Sequence, residues 1–190
     1  MHPAEHRGLR ELFAAARQLR VHWRELAQRL DAVGYDGASG PLLAGSDRAA
    51  ELLAELKPAC AERGLHPRRA AQGLGAQVAG VRLAVLDPAL ELNQVLRFAV
   101  LDATHLVLLL EYAARLAAQR EDTSLVAVLG DWAERMRGDE NALRAAALAA
   151  GDDPDAAIMV ATPGFAGRAG HGLASAVGTA GEWVDEHLRR

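Results

Sequence analysis

Residues 87–119 read DPALELNQVLRFAVLDATHLVLLLEYAARLAAQ, and the spacing of their apolar positions decides the fold. At about 100° per residue, Asn93, Arg97, Thr104, Glu111 and Arg115 share a sector of roughly 40° that reads as a solvent face. Opposite them lie Val95, Phe98, Ala99, Leu106, Leu109, Ala113 and Leu116, the stripe a helix turns toward a core. Asp87-Pro88 suits the start of this helix: the carboxylate accepts from free amides, and proline fills the first turn, where no donor is needed. The run to about Gln119 is expected to be one long amphipathic helix, helix C.

Toward the C-terminus, Asp122 or Thr123 caps helix D, with Leu125, Val128, Leu129, Trp132, Met136 and Leu143 as its stripe and Gly151 near its end. Toward the N-terminus, Gly73, Gly75 and Gly80 interrupt helically spaced Leu74, Val78, Val81 and Val85, so 67–86 reads as a small-residue connector helix. Helix B is expected from Ser46 or Asp47, along Ala49, Leu52, Leu56 and Cys60, with a kink at Pro58 and an end near Gly64. Before it, the glycines and Pro41 of 34–41 read as a loop. Helix A covers 5–33, with Leu9, Leu12, Leu19, Trp23, Leu26 and Leu30 in register. The fold class is all-α, an antiparallel four-helix bundle over residues 1–153. Residues 154–190 form a Gly/Ala-rich segment in which Leu173, Val177, Val184 and Leu188 mark a short C-terminal amphipathic helix. That helix fits three roles by composition: docking on the bundle, a disordered tail, or a partner-binding helix.

Composition agrees with helix over sheet. Hydrophobic residues make up 51% of the 190 residues, yet aromatics are 4%, and the excess is Ala and Leu. The net charge of -4 is interleaved along the chain, which excludes the basic stripe that nucleic acid demands. Cys60, the single cysteine, has no disulfide partner and no zinc-ligand spacing. Residues 1–7 lack an apolar leader, and no stretch approaches ~18 apolar residues, so a cytoplasmic protein with no membrane role is expected. Serines lack a strand-turn-helix elbow and the glycine clusters lack a preceding strand, so no catalytic or cofactor-binding residue is assigned.

The wheel places Asp102 and His105 among the apolar residues of helix C, three positions apart. A carboxylate there needs a partner, a hydrogen bond or a cation. Asp102-Ala103-Thr104-His105 has the carboxylate-to-histidine spacing that lets two side chains reach one ion inside a bundle. With Asp139-Glu140 in helix D, the helix lengths and the long B-to-C connection, the chain resembles the ferritin-like four-helix bundles over roughly 5–150, in particular their small bacterial stress-associated branch.

That resemblance implies a metal site at Asp102, His105, Asp139 and Glu140, with iron or another divalent metal as cofactor. The chain departs from the family pattern. A di-iron centre takes a carboxylate from each of two helices and a Glu-x-x-His from each of the others. Here helix A offers no ligand, with His22 and Glu25 reading as other faces. Glu55 sits at the flank of helix B, and Ala142 and Leu143 stand where a second histidine belongs. The competing reading has no cofactor: Asp102 and His105 form a core network, with Arg20 as the buried cation. Two functions follow. One is a non-catalytic bundle acting through a homo-oligomer, a dimer, or through a protein partner at the C-terminal helix. The other is a reduced metal-binding protein or oxidase.

Overall fold

Pro3 opens the first helix of the computed structural model, which describes residues 2–64 and 90–161. This helix, α1 (Pro3–Ala32), starts two residues before the expected position, because the His2 side chain accepts from the Ala4 backbone N–H at 3.1 Å and proline needs no donor there. It ends where Gly34 takes a positive φ of 80°, a conformation that favours glycine.

The second helix, α2 (Ser39–Glu62), corrects the expected loop over 34–41 and the expected start at Ser46 or Asp47. Pro41 lies in the first turn, where its missing N–H leaves no acceptor unsatisfied, and Gly40 has no Cβ to clash with the proline ring. Ser46 is therefore an interior residue. It is fully buried, and its Oγ donates to the Arg20 carbonyl of α1 at 2.8 Å. Pro58 is accommodated inside the helix, and Gly64, at φ 70°, follows its end.

Helix α3 (Leu92–Ala118) begins four residues after the expected Asp87-Pro88 start. Glu91 forms a capping box with Gln94, and its backbone pairs with Val160 in an isolated antiparallel bridge, so the chain is extended there. Helix α4 (Thr123–Ala149) has Asp122 as its N-cap, as the sequence suggests, and runs into a 3₁₀ turn at Ala150–Asp152. A one-turn helix, α5 (Pro154–Ala157), follows. The Ala161 N–H then donates to the Leu90 carbonyl at 3.3 Å, which ties this end of the described chain to the entry of α3. The connector helix expected over 67–86 and the amphipathic C-terminal helix lie outside the described residues.

The described residues are all-helical apart from their turns and that bridge. α1 packs on α2 and α3, and α4 packs on the same two. Across each seam residue numbers descend as their neighbours' ascend: Glu5 meets Arg120 and His22 meets Asp102, while Arg48 meets Asp139 and Arg63 meets Asp122. The interior holds Leu12, Trp23, Leu26, Leu52, Leu96 and Leu110, all with 0% exposure, beside Trp132 and a buried free Cys60, as their stripes imply. Burying each such leucine contributes about 1.5–3 kcal/mol relative to leaving it exposed. No helix among the described residues is long and apolar enough to cross a membrane.

Asp122 joins two helix ends. Its carboxylate accepts from the Leu125 N–H at 3.1 Å and from Arg63, the residue that ends α2. The Arg63 hydrogen bond, followed by the backbone one, holds this carboxyl below its ordinary value. A lowered carboxyl contributes stability that is present above its unfolded pKa of about 3.9 and is lost as pH falls through the folded value. Asp122→Asn retains a capping oxygen but not the ion pair. It should cost about 1 kcal/mol at neutral pH and nearly nothing at about pH 2, where the parent is protonated as well. Denaturant unfolding at the two pH values checks this, and a cost that persists in acid would be incompatible with the linkage.

Candidate functional site

Of the four residues singled out in the sequence, Asp102, Asp139 and Glu140 fall on three different seams and His105 on the outside. Asp102 projects from α3 toward α1, where its carboxylate lies 3.8 Å from His22 Nδ1, with His22 itself at 0% exposure. This corrects the placement of His22 on another face of the first helix. Because α1 packs against two neighbours, its buried arc is wider than one stripe and takes in His22 as well as Trp23. Arg20, the expected cation for Asp102, is exposed.

His105 is exposed, which corrects its assignment to the core. Leu96, Ala103 and Val107 are buried on one edge of α3, whereas Phe98, Leu101, Leu108 and Tyr112 are exposed on the other. The solvent face is thus turned by roughly 50° from the expected direction on a 100° wheel. Apolar residues on the outside pulled the inferred core toward them, and they carried His105 with them.

Asp139 is inside, at 1% exposure, as its wheel position implies. Arg48 of α2 holds both its oxygens: Nε donates to Oδ1 at 2.7 Å and to Oδ2 at 2.6 Å, and Nη2 donates to Oδ1. This bidentate pair also raises the Arg48 pKa, chiefly through the hydrogen bond to Asp139. Arg48 was not singled out in the sequence, although it lies one turn before core residue Leu52, within reach of the inward face of α2. Glu140 stays at the α3–α4 seam, where it accepts from Thr104 Oγ1 at 2.8 Å and from Arg144 Nη2 at 3.1 Å. Glu55, the flank carboxylate of α2, accepts from Trp132 Nε1 at 2.9 Å.

Asp102, His105, Asp139 and Glu140 therefore do not form one donor set. Among the described residues no group of three or more His, Cys, Asp or Glu side chains is placed to hold a metal ion, and Asp102 and His22 make a pair only. The donors do not fit a carboxylate-bridged metal. Burial pushes the Cys60 thiol up, which disfavours the nucleophilic thiolate.

What α3 does present is an outer apolar stripe: Phe98 is 43% exposed, Leu101 and Leu108 59% each, and Tyr112 46%. Beside it a groove of about 860 Å³ runs between α3 and α4, lined by Leu90, Phe98, Leu101, Arg144, Ala147 and Leu148. Tyr112 is supported from beneath, since Gly8 of α1 lies under its ring, where a Cβ would stand 3.4 Å from Cε1. No family model matches the chain, and no curated protein or solved structure is similar to it.

Proposed function

We propose that this is a cytoplasmic, ferritin-like antiparallel four-helix protein that acts without catalysis, through contacts between copies of itself. The observation that carries this reading is the outer stripe of α3, where four large apolar side chains are between 43% and 59% exposed on a helix whose other side is packed in the core. Contiguous apolar surface of this kind marks interaction sites on soluble proteins. The ferritin-like arrangement draws support from the order of the helices: two sequence-local pairs, α1–α2 and α3–α4, separated by the long stretch 63–91. The engagement of Asp139 by Arg48 and of Glu140 by Thr104 and Arg144 favours architecture over metal chemistry for these carboxylates.

Sedimentation equilibrium on the purified chain tests the reading. Mass above the 20.2 kDa of one chain, rising with concentration, is the expected result. A strictly monomeric protein at every concentration would sink it.

A further inference from the structure

We propose that the outer face of α3 is a homodimer seam, in which two α3 helices pack antiparallel about a two-fold axis that meets the outer face midway between Leu101 and His105, at the level of residue 103. This rests on the self-association reading above and specifies its surface, direction and register.

The spacing comes first. Phe98, His105 and Tyr112 are seven residues apart, and Leu101, Leu108 and Arg115 lie three beyond each of them. These are the a and d positions of a heptad, the 3.5-residue repeat by which one helix lies along another. The buried side of α3 meets α1 and α4 through Leu92, Val95, Ala99, Leu106, Leu110 and Ala113, so the outer heptad is separate from the packing of α3 on those two helices. Within α3 it extends from Gln94 to Arg115, about 32 Å of helix at 1.5 Å per residue.

Charge selects the direction. A parallel pair would set Arg115 against the partner's Arg115 and His105 against the partner's His105. An antiparallel pair centred on Ala103 sets Phe98 against the partner's Leu108 and Leu101 against the partner's His105. It also brings Gln94 to the partner's Tyr112 and sets Glu91, the capping residue just ahead of the helix, at the level of the partner's Arg115, so an acidic and a basic residue meet at both ends. On the flank, Arg97 comes beside the partner's Glu111. A two-fold interface must be self-complementary in this sense, and a polar residue such as His105 inside the seam fixes register at some cost in stability.

The area agrees. Four side chains roughly half exposed offer about 100 Å² each, or about 400 Å² of apolar surface per protomer. A standard interface buries about 800 Å² per partner, a little over half of it non-polar. Leu148, 70% exposed on the adjoining α4, extends the same surface.

The test uses the full chain with Cys60→Ala as background. Leu101→Cys and His105→Cys are made in separate chains, mixed and oxidised gently. The expected result is a covalent dimer between the two kinds of chain, in several-fold higher yield than either forms alone. Leu108→Glu, with helicity unchanged by circular dichroism, should return the mass to the 20.2 kDa of one chain. A dimer that survives Leu108→Glu and yields no mixed cross-link overturns this seam and leaves self-association through another surface standing. A monomeric parent whose Leu101→Cys thiol resists labelling means that another part of the same chain covers the face, and it overturns both.

Discussion

Gly45→Ala is expected to destabilise the protein by about 3 kcal/mol, the upper end for overpacking a core. An added Cβ at Gly45 would run into the Trp23 ring, with Cε3 at 2.6 Å and Cζ3 closer still. Trp23 cannot give way, because it is fully buried. At the next residue along the chain, Ser46 Oγ donates to the Arg20 carbonyl at 2.8 Å and holds the α1 and α2 backbones close together. A small residue at 45 is thus what allows the first two helices to approach around an indole. Chemical denaturation of parent and variant measures the effect. A loss below about 1 kcal/mol would mean that the two helices separate easily, contrary to the packing described.

Arg48→Met carries the second large effect, about 3–5 kcal/mol, because it leaves the Asp139 carboxylate buried without its cation. Arg48 is itself 40% exposed, so water will reach part of the vacated space and the lower end of that range is expected. The double variant Arg48→Met/Asp139→Leu supplies the control. Replacing both partners with apolar side chains of similar size removes the orphaned charge and should recover most of the loss. If the double variant is as unstable as the single one, packing around the guanidinium stem outweighs the ion pair.

Helix lengths and stripes were legible from the sequence because the 3.6-residue period repeats over many turns, and chance rarely sustains it. The Leu125-to-Leu143 stripe of α4 and its Asp122 cap are found where they were expected. The start of α2 was not legible, because Gly40 and Pro41 break helices everywhere except the first turn, and sequence alone does not say which turn a residue occupies. The start of α3 depended on a non-local bridge, Glu91 to Val160, that no local rule contains. The candidate site was half legible. Asp139 was singled out only as a metal ligand, and the group that holds it, Arg48, lies on a helix 91 residues earlier in the chain. His105 was misplaced for a more general reason: a wheel averages all apolar residues together. A helix with one apolar face for its own core and another for a second contact gives a resultant between the two, and polar residues near that resultant read as buried.

The packing order of the helices also bears on how the chain assembles. α1 and α2 meet across a short turn, as do α3 and α4, so each pair is expected to form early through contacts that are local in sequence. The seams between the pairs join distant residues: Arg48 Nη2 and Asp139 are 91 positions apart, and Arg120 and Glu5 are 115 apart. Docking of one preformed hairpin onto the other is the step that closes this long span, and the buried ion pair has nothing to pair across until then. Its removal is therefore expected to accelerate unfolding far more than it slows folding. The Arg48–Asp139 pair then acts mainly as a latch on the finished protein, setting how long the native state lasts rather than how quickly it is reached.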